Sequence, residues 1–198
     1  LASRPGAGAT HRAPSSRDVI PIHPVAAVPP APTFAASPGL VAPPPLALYV
    51  HWPWCVRKCP YCDFNSHESG GVIDAETEAA YLAALIADLE AALPQVWNRP
   101  VLSVFIGGGT PSLMRAEAVE DLLAAIRMRL PLHPDAEVTL EANPGTAEAA
   151  KFEAFRASGV NRLSVGVQSF DNARLAALGR IHDSAASLAL SKIGRAHV

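Results

Sequence analysis

The sequence predicts an α/β fold, the N-terminal half of an incomplete TIM-like (β/α) barrel preceded by a disordered Pro/Ala-rich segment. Three observations carry this. From Leu46 onward, short apolar runs alternate with helical stretches four times in series, the pattern of parallel strands joined by right-handed crossovers. Each run also ends in something chemically distinctive: cysteines after the first, Gly107 to Thr110 after the second, Glu141 after the third and Gln168 after the fourth. A barrel gathers its strand C-termini around one mouth, where such residues can cooperate. Residues 1 to 45, by contrast, hold eleven of the nineteen prolines, much alanine and no apolar period, so they lack what a packed core requires.

The elements follow in order. "LALYVHW" is a strand bracketed by Pro45 and Pro53. "DAETEAAYLAALIADLEAAL" is a helix, with Asp74 as N-cap and Leu82, Leu85, Ile86, Leu89 and Leu93 along one face. "VLSVFIGGGTPS" is a buried strand running into glycines, and the next helix carries Val119, Leu122, Leu123, Ile126 and Leu130 on one stripe. "AEVTLEANP" pairs with a helix from about Thr146 to Ser158, stopped by Gly159, and "RLSVGVQSF" leads into the helical "DNARLAAL". The core domain is therefore expected over residues 46–192. That is too short to close a barrel of about 250 residues, so it reads as truncated. The closing "IGRAHV", 193–198, matches the in-frame translation of a common sequencing-library adapter and is expected to be a non-native tail.

Composition narrows the partners. A net charge of −2 with 17% charged residues gives no field that would gather nucleic acid, and small molecules are expected instead. No apolar run approaches the roughly 20 residues of a bilayer span, so no transmembrane segment is expected. The early arginines Arg4, Arg12 and Arg17 resemble a transit peptide, but the prolines would break the amphipathic helix such a peptide needs. An odd number of clustered cysteines is a poor disulfide framework, which favours a reducing, cytoplasmic location.

All three cysteines lie in "HWPWCVRKCPYCDFNSH", spaced C-x3-C-x2-C. Zinc would need a fourth ligand from His51 or His67, and its structural sites are closed. A redox pair formed by Cys59 and Cys62 would leave Cys55 unexplained. The reading that uses all three thiols is an iron–sulfur cubane, whose fourth iron is then left open for a substrate or cofactor.

"CVRKCPYC" after "LYVHWPW", followed in order by "GGGTPS", "LEANP" and "VGVQSF", resembles the radical S-adenosylmethionine (radical SAM) superfamily. More narrowly it is similar to the family of oxygen-independent coproporphyrinogen III oxidases and HemW-type heme chaperones, over roughly Leu46 to Asp183. The resemblance implies a [4Fe-4S] cluster on Cys55, Cys59 and Cys62, with S-adenosylmethionine (SAM) chelating the fourth iron. It further implies that Gly108, Gly109 and Thr110 lie along SAM, that Glu141 holds ribose hydroxyls, and that Tyr61 borders the adenine. Tyr49, Gln168 and Arg180 match further SAM-contacting positions, Arg180 the one that assists a second SAM in the oxidases. His51, His67 and His182 are left without a role.

Two functions follow from the resemblance. One is a heme carrier that keeps the cluster and SAM, and the other is the oxidase, an enzyme that decarboxylates coproporphyrinogen propionates. The oxidases carry a further cysteine two residues after the third ligand, where this chain has Phe64. The carrier reading is therefore preferred, with heme as ligand and an electron donor as partner, whereas the oxidase would take a porphyrinogen.

Overall fold

A computed structural model describes residues 43–96, 98–144 and 148–193. The expectations for residues 1–42 and for the tail at 194–198 lie outside the described residues. The elements run β1 (Leu46–Trp52), β2 (Trp54–Cys55), β3 (His67–Glu68), α1 (Ala75–Val96), β4 (Val101–Gly108), a 3-10 turn (Pro111–Leu113) and α2 (Ala116–Arg129). Then come β5 (Leu132–Ala142), α3 (Glu148–Ser158), β6 (Arg162–Val165), α4 (Asn172–Ala177) and α5 (Ser184–Ile193).

β1, β4, β5 and β6 form one parallel sheet in that spatial order. Each crossover thus steps to the next position in the same direction, as in a (β/α) barrel and unlike a doubly wound sheet, whose strand order reverses at a switch point. α1 packs on α2 and α2 on α3.

Alternation along the strands separates two faces. Val104 and Ile106 of β4 and Val138 and Leu140 of β5 are buried in a core with Leu82 of α1, Leu122, Leu123 and Ile126 of α2, and Phe152 and Phe155 of α3. Each such side chain contributes about 1.5–3 kcal/mol by leaving water. Ser103, Phe105, Glu137 and Glu141 point to the other face and are only partly covered or exposed, while Thr139 on that face is buried. That second face leads to the strand C-termini.

Local chemistry sets the helix boundaries. Asp74 caps α1, accepting from the Thr77 N–H at 2.8 Å and the Thr77 hydroxyl at 2.7 Å. Those bonds lower its carboxyl pKa below the usual value. α3 stops at Gly159, whose φ of 112° lets the Val160 N–H return to the Phe155 carbonyl at 3.0 Å.

Three features differ from the expectation. β6 covers only Arg162–Val165, because after Gly166 pairs with the Ala142 carbonyl the chain turns tightly through Val167 and Gln168. The short parallel pair β2–β3 was not expected at all; two-residue strands carry no periodicity to read. α1 has a mean hydropathy of 1.3 over its best window and is long and apolar enough, by length and composition, to cross a membrane. In this fold it lies against the core, with Leu82 buried and Glu90 paired to Arg129 at 2.6 Å.

Candidate functional site

The cysteine loop leaves β2 and returns on β3. Its neck is closed by the Trp54–His67 and Cys55–Glu68 pairing and by bonds from His67 N–H to the Pro53 carbonyl (2.7 Å) and Ser69 N–H to the Cys55 carbonyl (2.9 Å). Within the loop, the Cys62 N–H donates to the Cys59 carbonyl at 3.0 Å, a turn that places the last two thiols one after the other. Lys58 crosses the loop, its Nζ donating to the carbonyls of Phe64 (3.2 Å) and Ser66 (3.1 Å). All three cysteines are free, Cys55 buried and Cys59 and Cys62 half-buried.

Beside the loop, β4 ends in the glycine run. The Gly109 N–H reaches the Trp52 carbonyl at 2.6 Å and the Thr110 N–H the Trp54 carbonyl at 2.7 Å, so this backbone lies flat against the loop's neck. A Cβ on Gly109 would stand 2.5 Å from the Trp54 oxygen, and only glycine fits. Glu141 comes from the end of β5 and accepts from the Gly108 N–H at 3.0 Å.

These segments enclose a cavity of about 340 Å³. Its wall includes Cys55, Cys59 and Cys62; Tyr61; Gly108, Gly109 and Thr110; and Glu141, Gln168 and Arg180. Ten of the eleven residues singled out from the sequence therefore share one cavity. Tyr49 is the exception and does not line it. It stands on β1, 55% exposed, with its ring stacked on Phe105 at a centroid distance of 6.2 Å and its hydroxyl 3.0 Å from His51 Nδ1. Burial and the Glu141 carboxylate raise its phenol pKa above the ordinary value.

Tyr61 and Arg180 meet at Cys59. The Tyr61 hydroxyl is pushed up in pKa first by burial and then by the Cys59 thiol, against the opposing pull of the Arg180 charge. Arg180 Nη1 lies 3.7 Å from Cys59 Sγ, while Nη2 donates to the Gly166 carbonyl at 2.7 Å and to Asn143 Oδ1. Gln168 holds a left-handed backbone, φ 62°, uncommon for a residue with a side chain and typical of strain kept at working sites.

Sequence reasoning missed two residues. Asn143 links Arg180 to Thr110, donating from Nδ2 to the Thr110 hydroxyl at 3.0 Å; it stands inside the quoted "LEANP", where only the acid was noted. His51 had no assigned role, yet its Nε2 lies 2.8 Å from the Asn65 carbonyl on the return limb of the loop. No periodicity or motif signals either contact.

Among the described residues, no three His, Cys, Asp or Glu side chains converge closely enough to hold a single metal ion. A cubane takes its thiolates at separate corners, and three free thiols around one cavity wall fit that donor set. The Arg180 Nε–H, buried with no acceptor among the described residues, fits an anionic group such as the SAM carboxylate.

A parallel β/α half-barrel with three free thiols and a glycine-lined cavity at its strand ends defines a cofactor-binding α/β protein of the barrel type. The family model of the radical SAM superfamily matches residues 49–197, and the chain belongs to that superfamily. The superfamily implies SAM and a [4Fe-4S] cluster.

The chain is 52% identical to the heme chaperone HemW of Escherichia coli over 139 residues, 70% of this chain and 36% of that protein. It is 46% identical to the mitochondrial radical S-adenosyl methionine domain-containing protein 1 of Bos taurus over 138 residues, 70% of this chain and 30% of that one. Among solved structures it is similar to the coproporphyrinogen III oxidase HemN of Escherichia coli, described as a radical SAM enzyme. The TM-score is 0.68 at 31% identity, over 77% of this chain and 34% of the other. The chain thus spans about a third of the length of the curated relatives it matches.

Proposed function

We propose that this chain forms the cluster- and SAM-binding part of a heme chaperone, a protein that binds heme and transfers it to an acceptor. The observation that carries the reading is the 52% identity to the Escherichia coli heme chaperone HemW. It is supported by Phe64, which lines the cavity where the oxidases have a further cysteine.

Cys55, Cys59 and Cys62 would hold the cluster. When bound, cluster and SAM supply one-electron reductive chemistry at the sulfonium, fed by an electron donor. The chain's own residues prepare the place for them. Gly108 and Gly109 offer bare backbone to the SAM amino end, and Thr110 adds a hydroxyl fixed by Asn143. Glu141 keeps one carboxylate oxygen on Gly108 N–H and presents the other to ribose hydroxyls. Tyr61 covers the adenine side with a half-exposed ring, Gln168 closes the far wall, and Arg180 faces the SAM carboxylate. Tyr49, stacked on Phe105 on the Glu141 side of the sheet with its hydroxyl on His51 Nδ1, adds a further ring for SAM. Free thiols suit a reducing compartment such as the cytoplasm.

The test uses the protein expressed from its complete reading frame, reconstituted with iron and sulfide without oxygen. Heme binding and SAM-dependent coproporphyrinogen III turnover are measured on the same sample. Stoichiometric heme binding without decarboxylation is expected. Loss of two carboxyl groups per porphyrinogen would replace the carrier with the oxidase.

A further inference from the structure

The strongest unused relationship at the site is between Arg180 and Cys59. Arg180 follows α4, yet its guanidinium reaches back across the mouth to the cysteine loop. Its direction is fixed without the sulfur. The two N–H groups of Nη2 have two acceptors, Asn143 Oδ1 and the Gly166 carbonyl at 2.7 Å, so the planar fork is held from one side. The guanidinium only donates, so Asn143 turns its Oδ1 to Arg180 and its Nδ2 to the Thr110 hydroxyl at 3.0 Å. Thr110 is in turn tied by its N–H to the Trp54 carbonyl, the residue before Cys55. The chain of bonds thus starts at the neck of the cysteine loop and ends with Nη1 lying 3.7 Å from Cys59 Sγ.

A cation that donates N–H to a ligating sulfur favours the more negative state of the cluster. Hydrogen bonds to the sulfurs, net charge and solvent exposure are the levers by which a protein sets cluster potential. Arg180 supplies the first two at one sulfur. The same guanidinium helps wall the cavity.

We propose that Arg180, held in place by Asn143, is a positioning residue that donates a hydrogen bond to the Cys59 thiolate and raises the reduction potential of the cluster. This rests on the cluster reading above and goes beyond it, since it assigns Arg180 a role that operates before SAM binds. The electron concerned is the single one taken up by the cluster from an external low-potential donor.

The test is a potentiometric titration with dithionite and ferricyanide, read by the EPR signal of the reduced cluster. It is run without SAM on the complete protein and on Arg180→Gln and Arg180→Lys. Iron and sulfide content are measured on each sample. Arg180→Gln is expected to titrate at a more negative potential than wild type. Arg180→Lys, which keeps the charge but not the rigid fork, is expected to shift in the same direction by less. If either variant carries a full cluster at the wild-type potential, the proposal is overturned. Should Arg180→Gln not assemble a cluster, Arg180→Lys decides by the same criterion, with Asn143→Ala, which releases the fork, as the second variant. Failure of the wild type itself to assemble a cluster would instead overturn the cluster reading, and the proposal with it.

Discussion

The Nε2 of His51 lies 2.8 Å from the carbonyl oxygen of Asn65, and the Nδ1 of the same ring lies 3.0 Å from the Tyr49 hydroxyl. A carbonyl only accepts, so Nε2 carries the proton and Nδ1 accepts from Tyr49. Strand β1 is thereby pinned to the return limb of the cysteine loop, three residues beyond Cys62. The Tyr81 hydroxyl adds a bond to the His51 carbonyl at 2.8 Å, tying α1 to the same point.

Removing this pin should loosen the loop without unfolding the sheet. Outer-shell partners of metal sites typically govern about 10–100-fold in affinity. His51→Ala is expected to fall at the lower end, about tenfold weaker retention of the cluster, with unchanged far-UV circular dichroism. The measurement is iron and sulfide remaining after timed exposure to a chelator. Retention equal to wild type would show that β2–β3 pairing alone holds the loop.

Gly108 is packed against the same imidazole. Its φ is 116°, and a Cβ there would stand 2.7 Å from the His51 ring and 2.8 Å from the Trp52 oxygen. Gly108→Ala therefore adds backbone strain of about 1–3 kcal/mol to a steric conflict. Gly70 is the internal control, because its φ of 68° is also left-handed but a Cβ would meet nothing within 4 Å. Urea denaturation should show Gly108→Ala losing clearly more stability than Gly70→Ala. Equal losses would mean that neither the His51 ring nor the Trp52 carbonyl resists the added methyl group.

What the sequence made legible, and what it hid, divides along the range of the interactions. The four strand–helix units were readable because periodicity and caps are local: Asp74 and Gly159 act within five residues of themselves. The polar strand ends were readable for the same reason, and the barrel topology brings them to one cavity. Asn143 and His51 were not, since their value lies in bonds to Arg180, Thr110 and Asn65, which only the assembled sheet brings near. Tyr49 was read as a SAM-contacting position from the family resemblance alone. In the structure it stands beside Phe105 on the face that carries Glu141, with its hydroxyl on His51 Nδ1. α1 escaped the membrane criterion because its acids interrupt every apolar run, although its alanines and leucines keep the average high.

Glu78 offers a stability test away from the mouth. It is 3% exposed in the first turn of α1 and accepts from both the Arg115 N–H, at 3.0 Å, and the Arg115 Nε, so it joins the start of α1 to the start of α2. Arg115 is itself half-exposed and can rehydrate when the partner is lost. The cost of Glu78→Ala is therefore that of hydrogen bonds to a charged group, about 1.5–3 kcal/mol, rather than that of a stranded buried cation. Glu78→Gln retains an oxygen for the Arg115 N–H and should lose less. Chemical denaturation of the two variants beside wild type measures the difference, and a Gln variant as unstable as the Ala variant would place the whole effect on charge.

His182 should make stability depend on pH. It is 8% exposed, its Nε2–H donates to the Val167 carbonyl at 3.2 Å, and its Nδ1 is buried without a partner among the described residues. Burial lowers its pKa from the ordinary 6.5, with the Arg180 charge adding to the fall and the Val167 bond and Asp183 opposing it. Between that lowered value and 6.5 the unfolded chain binds the proton that the folded chain refuses. Stability is then full above 6.5 and declines as pH falls through that window. The urea midpoint of wild type should therefore drop between about pH 7.5 and pH 5.5, and that of His182→Gln should drop less. Parallel declines in the two proteins would assign the acid sensitivity to other groups and leave His182 a neutral packing residue across the whole range.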